Sequence, residues 1–275
     1  MLRLILNRKA TLQTFSGQFV QLQLVNEHVA EIILTRPEKL NALTLSMAKE
    51  ISFTCTQLEG DKSVRAVIVR GEGRSFCSGR DLKQSMSHSD AEAEEYLNVA
   101  VAAVMSVFHL PMPTIAAIQG CALGFGLELA LACDFRIASH DCKLGFPETK
   151  LGIFPGAGGS FLLPVVLGSP SKALEWVLLA DQYSAEEAKQ AGVVNWVVED
   201  ANIEAVSVAN RLAGNGPLGV RAAKRVLKQG IHSVLESTTW QDDAMTSRLA
   251  LANSADYHEA LKAFFEKRQP NFKGE

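Results

Sequence analysis

Residues 115–159 read IAAIQGCALGFGLELALACDFRIASHDCKLGFPETKLGIFPGAGG, and the rest of the chain is organised around them. Thr114 to Ile118 is an apolar run of strand length that ends in Gly120. Gly124 and Gly126 punctuate a turn, and Leu127 to Cys133 is an apolar run of helical length whose one charge, Glu128, stands near its start. Twenty positions on, after a second hydrophobic stretch, Gly145-Phe146-Pro147 presents Glu148, and a glycine patch, Gly156 to Gly159, follows. Two carboxylates in oily, glycine-shaped surroundings are what acid–base chemistry at carbon needs.

A hydropathy window over residues 115–133, where only Gln119 and Glu128 are polar, would flag a membrane span. Three glycines interrupt that run, and a carboxylate in mid-membrane is costly, so a buried strand–turn–helix is expected instead. The 275 residues suit one large domain or one domain with an appendage. A hydrophobic content of 47% with 21% charge supplies a sizeable core, and a net charge of −3 gives no case for nucleic acid as a partner. Five scattered cysteines without C-x-x-C spacing point to a reduced compartment and no structural zinc. Met1–Gly17 holds Arg3, Arg8 and Lys9 and no acid, the pattern of a weak organellar presequence. With only three basic residues, an untargeted extension of a cytoplasmic protein is expected, and a mitochondrial-matrix location is the alternative.

In chain order, Phe19–Asn26 alternates as a half-buried strand and Val29–Thr35 as its partner, before the breaker Arg36-Pro37-Glu38-Lys39. A helix is expected from Asn41–Ala42 to about Leu58, and a buried strand over Ser63–Arg70. Asp90 is read as the cap of a helix running to Leu110 and stopped by Pro111 and Pro113. Ser169-Pro170 opens another helix, Ser184-x-x-Glu187 is a capping box for a helix ended by Gly192, and Val193–Val198 is a last strand. From Ala201 strand signals vanish, and helical periodicity runs through 202–213, 217–229, 232–250 and 254–267. The expectation is an α/β core over residues 18–200, preceded by an extension (1–17) and followed by a helical region (201–275).

Several chemistries have little support. Gly156-Ala157-Gly158-Gly159-Ser160-Phe161 lacks the third glycine of a dinucleotide fingerprint and the Lys-Ser/Thr of a phosphate loop. There is no G-x-S-x-G elbow and no H-E-x-x-H, and the six histidines are dispersed. Glu128 taken alone is balanced between a dipole-compensating carboxylate and a buried acid–base group of raised pKa. Glu148 taken alone is more simply a turn residue. Gly124-Phe125-Gly126 leads into a helix N-terminus whose N–H groups are unpaired, and such a site can hold a developing oxyanion. Ser78-Gly79-Arg80 is a second glycine turn of the same kind, although an ordinary strand-to-helix turn explains each as well.

Together these residues resemble the enoyl-CoA hydratase/isomerase (crotonase) family from about Phe19 to Glu275. The pieces that carry the resemblance are Arg36–Leu43 (RPEKLNAL), Phe76–Lys83 (FCSGRDLK), Ile115–Asp134, Gly145–Glu148 (GFPE), Leu151–Gly159 (LGIFPGAGG), Ala188–Val194 (AKQAGVV) and Phe264–Arg268 (FFEKR). Residues 126–134 and 148–151 read closest to the methylglutaconyl-CoA hydratase branch. One relative there binds RNA through a lysine-rich helix, but Ser46–Glu59 here carries only Lys49, so nucleic-acid binding is not carried over.

The resemblance implies a spiral of ββα units, a C-terminal helical region that builds trimers or hexamers, acyl-CoA thioesters as ligands, and no metal or redox cofactor. By position, the main-chain N–H groups of Arg80 and Phe125 would form the oxyanion hole. Both positions commonly carry small residues in hydratases, so Phe125 is expected to narrow or redirect the acyl site. Glu128 and Glu148 fill both acidic positions, which favours hydration of a trans-2-enoyl-CoA over Δ3–Δ2 isomerisation or silent acyl-CoA binding. Coenzyme A is expected against Lys39, Ser78, Arg80 and Leu82, with Lys267 and Arg268 as phosphate partners. Where many relatives place Thr-Gln-Arg-Leu, this chain has Ser160-Phe161-Leu162-Leu163.

Overall fold

A computed structural model describes residues 15–86, 90–235 and 238–274. The strands, in chain order, are β1 (Phe15–Ser16), β2 (Val20–Leu24), β3 (Val29–Leu34), β4 (Ala66–Gly71), β5 (Thr114–Ile118), β6 (Cys121–Leu123), β7 (Phe135–Ser139), β8 (Lys143–Gly145), β9 (Gln182–Ser184) and β10 (Trp196–Val198). The helices are α1 (Leu45–Gly60), α2 (Leu82–Ser85), α3 (Asp90–His109), α4 (Phe125–Ala132), α5 (Gly159–Leu167), α6 (Pro170–Leu178), α7 (Ala185–Gln190), α8 (Ala201–Ala213), α9 (Pro217–Leu235), α10 (Thr238–Ala252) and α11 (Ala255–Glu266).

Seven strands form one sheet in the order β1-β2-β3-β4-β5-β7-β10. The β2–β3 pair is the expected antiparallel hairpin, with Val20 opposite Leu34, and every pair from β3 to β10 is parallel. Parallel neighbours need long crossovers, which is where α1, α3, α4 and α7 lie. Residues 66–69 of β4 and 115–118 of β5 read as apolar runs because both faces of the sheet are covered there. Val67, Val69, Ala116 and Ile118 face the larger core, whereas Ala66, Ile68, Ile115 and Ala117 face α8, through Ala201, Ala205, Val208 and Ala209. The first helix beyond Ala201 is therefore packed on the sheet as firmly as those before it.

Local signals account for the helix starts. The Thr44 hydroxyl accepts from Met47 N at 3.2 Å, so α1 begins at Leu45 and not at Asn41, where a positive φ of 54° breaks the helix. Ser184 and Glu187 form the reciprocal capping box expected of them, and Pro170 opens α6. Phe15 and Ser16, expected in the N-terminal extension, instead pair with β2; residues 1–14 lie outside the described residues, as does the Asp90 side chain.

The run that resembles a membrane span is β5, β6 and α4, a strand–turn–helix as expected, and among the described residues no helix is long and apolar enough to cross a membrane. α9 is tied to the core by charge. Asp134, just past α4, lies 2.6 Å from both Lys224 Nζ and Lys228 Nζ, and Lys224 also donates to Met112 O at 2.7 Å.

Candidate active site

All eight residues of α4 are buried, and Glu128 is the one charged residue among them. Its carbonyl end is closed by Arg136, whose Nη1 donates to Cys133 O at 2.7 Å and whose Nε donates to Val193 O at 2.6 Å. Glu128 is thereby carried on a fixed support into the core, where it is 3% exposed. Its Oε1 accepts from Ala157 N and Gly159 N, each at 2.8 Å, so the glycine patch that follows Glu148 in sequence is folded back onto it.

Glu148 arrives from a different direction. β6, β8 and β9 make a second, three-stranded sheet, and Gly124 N donates to Gly145 O at 2.9 Å. The turn before α4 is thus tied to the end of β8, three residues short of Glu148. Gly124 has a φ of +51°, and a Cβ there would stand 2.6 Å from Glu148 Oε1. Among the described residues, Glu148 Oε2 has no hydrogen-bond partner.

Burial pushes the Glu128 carboxyl up to about 7, against the pull of the Gly159 and Ala157 amides and of Arg248. Glu148 is raised well above the usual carboxylate range, first by burial and then by the charge of Glu128. The charged form of each carboxyl is thus disfavoured by burial, and that of Glu148 also by the charge of Glu128.

The two glycine turns meet here. Cys77 and Ala122 are bridged in parallel, Leu123 N donates to Cys77 O at 3.1 Å, and a Cβ on Gly79 (φ +103°) would come within 2.9 Å of Leu123 O. The main chains at Arg80 and Phe125 are therefore neighbours. Phe125 opens α4, where an N–H has no intrahelical acceptor. Among the described residues, neither the Arg80 nor the Phe125 amide donates to a main-chain oxygen of the turns and loops.

These groups border one cleft of about 1170 Å³. Glu128, Glu148, Phe125, Arg80, Ser78, Leu82 and Lys39 all line it. Lys267 and Arg268 do not: Arg268 is held by Glu259 and by Glu266, the latter at 2.6 Å, and the structure does not bring it to the cleft within one chain. Phe125, 5% exposed, belongs to the core at the cleft wall. Among the described residues no group of three or more His, Cys, Asp or Glu is placed to hold a metal ion.

Sequence reasoning gave no role to several lining residues, among them Lys83, Tyr96, Lys150 and Arg248. Lys83 lies on α2, Lys150 in the turn that begins at Glu148, Tyr96 is one more large side chain on an amphipathic helix, and Arg248 lies 120 positions past Glu128 on α10. Tyr96 carries the Arg80 guanidinium 4.1 Å above its ring and donates to Leu43 O at 3.4 Å. Lys83 closes the quoted FCSGRDLK stretch and Lys150 lies within residues 148–151, so these two had a local signal.

A family profile described as enoyl-CoA hydratase/isomerase matches residues 25–275. The enoyl-CoA isomerase/hydratase fer4 of Mycosarcoma maydis is 38% identical over 257 residues, covering 90% of this chain and 93% of that one. The human mitochondrial methylglutaconyl-CoA hydratase is 37% identical over 257 residues, 91% of this chain and 75% of that one. Among solved structures, an enoyl-CoA hydratase from Bacillus anthracis superposes with a TM-score of 0.76 at 37% identity, over 94% of this chain and all of that one.

Proposed function

The chain belongs to the enoyl-CoA hydratase/isomerase family, and on that premise we propose that it adds water to a trans-2-enoyl-CoA with Glu128 and Glu148 as its acid–base pair. The observation that carries the reading is the pair itself. Two buried carboxyls of raised pKa line one cleft with Arg80 and Phe125, whose amides donate to no main-chain oxygen of the turns and loops among the described residues.

The thioester oxygen lies against the Arg80 and Phe125 amides, which stabilise negative charge as it builds there. Loss of one such donor typically costs about 10²–10³ in rate. Glu128 activates the water whose oxygen adds to C3. Glu148, whose protonated form is favoured by burial and by the neighbouring charge of Glu128, delivers a proton to C2. The product is a 3-hydroxyacyl-CoA, and the proton taken from water by Glu128 balances the one given by Glu148. An isomerase moving a proton between C2 and C4 needs only one of the two carboxylates. Holding a second one buried is costly, which favours hydration over isomerisation and over silent binding.

Coenzyme A would enter past Lys39, Ser78 and Leu82, leaving the acyl group toward Glu128. Lys267 and Arg268 remain candidate phosphate partners only if subunits pack so as to bring them near a cleft, which light scattering with and without acyl-CoA would address. Import of a reporter carrying Met1–Gly17 into isolated mitochondria separates the cytoplasmic from the matrix location.

The central test follows enoyl-thioester absorbance when the protein meets crotonyl-CoA. Rapid loss is expected in the wild type and a fall of about 10²–10⁴-fold in Glu148→Gln. Binding of crotonyl-CoA without turnover by both proteins would sink hydration of that substrate.

A further inference from the structure

The orientation of the Arg80 amide is set by its pairing with the RPEKLNAL stretch. Leu43 and Arg80 form a parallel bridge, in which Leu43 N donates to Gly79 O at 2.7 Å and Asp81 N donates to Leu43 O at 2.9 Å. The Gly79–Arg80 peptide is trans, so with its carbonyl turned to Leu43 its N–H faces the opposite way. That way lie Leu123 and Gly124. The preceding Cys77–Ser78 peptide shows it, since Ser78 N donates to Leu40 O at 2.9 Å while Cys77 O accepts from Leu123 N at 3.1 Å.

A guanidinium holds residues 40–43 in that register. Arg36 Nη1 donates to Ala42 O at 2.6 Å and Nη2 to Asp81 Oδ2 at 2.9 Å, so Arg36 clasps both partners of the bridge. Its side chain is 12% exposed and that of Asp81 17%, dry enough for the loss of either to leave the other a costly charge. Glu38 stands farther from Arg36, at 4.0 Å, and is well exposed. The other carboxylate oxygen of Asp81 accepts from Lys83 N and Gln84 N and so opens α2. The approach to the bridge is strained. Leu40 and Asn41 both have left-handed φ, 51° and 54°. The buried Asn41 side chain secures them, accepting from Arg36 N and donating to Glu72 O and Ser75 O. An unfavoured backbone held by this many ties is characteristic of a functional segment.

We propose that Arg36 is a positioning residue for the oxyanion hole: by bridging Ala42 and Asp81 it fixes the peptide plane that turns the Arg80 N–H toward the thioester oxygen. The role rests on the oxyanion assignment made above for that amide. Arg36 also lines the cleft, but Asp81 already matches its charge, so it is not the cation to meet a coenzyme A phosphate. A planar fork is needed here, because the two acceptors lie on facing segments and a single ammonium cannot be aimed at both.

Acetoacetyl-CoA reads the hole directly, because its enolate absorbs in the near ultraviolet and carries charge on the thioester oxygen. Donors aimed at that charge raise the enolised fraction of the bound ligand. The wild type should show enolate absorbance on binding at neutral pH, and Arg36→Met should lose most of it. Misplacing a group by about 1 Å can cost about 10²-fold, so kcat for crotonyl-CoA should fall at least about tenfold with KM within about threefold. The acid limb of the pH profile, which belongs to Glu128, should not move. Asp81→Asn keeps an oxygen for the α2 cap and removes only the charge, so it carries the test if Arg36→Met fails to fold. Arg36→Lys should recover part of the activity. Unchanged kcat and enolate absorbance in Asp81→Asn overturn the proposal. So does a loss of affinity for free coenzyme A that matches the fall in kcat, which would make Arg36 a phosphate partner. Enolisation by the wild type without crotonyl-CoA hydration removes the hydratase reading alone. Hydration that neither variant impairs removes the positioning role alone, and a wild type that does neither removes both. Where the wild type hydrates but holds its ligand in the keto form, the split between kcat and KM decides.

Discussion

Glu128→Gln should separate activity from stability, because the same carboxyl serves one at the expense of the other. Glutamine keeps an oxygen for the Ala157 and Gly159 amides, each 2.8 Å from Glu128 Oε1, so the glycine loop keeps its anchor. What is lost is the water-activating carboxylate. General acid–base help is worth about 10²–10⁴-fold, or roughly 3–5 kcal/mol of barrier, and kcat for crotonyl-CoA hydration should fall by that factor. Stability should move the other way. The folded-state pKa of Glu128 is raised from an ordinary 4.5 to about 7, so the folded protein holds the proton more tightly than the unfolded chain does. Its contribution to stability is greatest below 4.5, declines as pH rises through about 7, and is then level. At about 1.36 kcal/mol per unit the decline amounts to roughly 3 kcal/mol. Glutamine has no charged form, so the variant should exceed the wild type by as much as roughly 3 kcal/mol at pH 8, with the gap closing toward pH 5. Urea melts at both pH values, beside the absorbance assay, measure the two effects. A variant less stable than the wild type at pH 8, or one that keeps more than a tenth of the activity, would refute the reasoning.

The pH dependence of kcat/KM should rise through about 7 as Glu128 ionises, and a profile flat from pH 5 to 9 would count against its role. Gly124→Ala places a methyl 2.6 Å from Glu148 Oε1 at a φ of +51°, and should cost about 1–2 kcal/mol of stability and at least about tenfold in kcat, read from melts and initial rates. Asp134→Ala strands Lys224 and Lys228 in a partly dry setting. A loss of about 3–5 kcal/mol in denaturant melts is expected, and a loss below 1 kcal/mol would show that α9 is not held by this triad.

Much of the fold was legible because burial leaves a period in the text. β2 alternates, β4 and β5 carry apolar runs, and Ser169 and Ser184 announce helix starts, whereas the Thr44 cap was passed over for a start at Asn41–Ala42. α5 was not legible. GSFLLPVVL is apolar on all sides and carries Pro164, so it shows neither an amphipathic stripe nor an expected helix interior. β6, β8 and β9 are three residues each, too short for alternation to register. Of the site, the carboxylates could be read because charge is rare in apolar text, and the two N–H turns because glycine marks them. Arg248 could not, since it joins the site through a contact across 92 residues to Gly156.

The division of labour within the cleft bears on how such a site can change. On the roles proposed above, charge on the thioester oxygen would meet main-chain amides at Arg80 and Phe125, and these persist whatever side chains those positions carry. Proton traffic, by contrast, would depend on two side chains carried by different segments, Glu128 on α4 and Glu148 after β8. A single substitution can therefore redirect where protons go while leaving intact the capacity to stabilise an enolate. The scaffold can lose one reaction and still be most of the way to another.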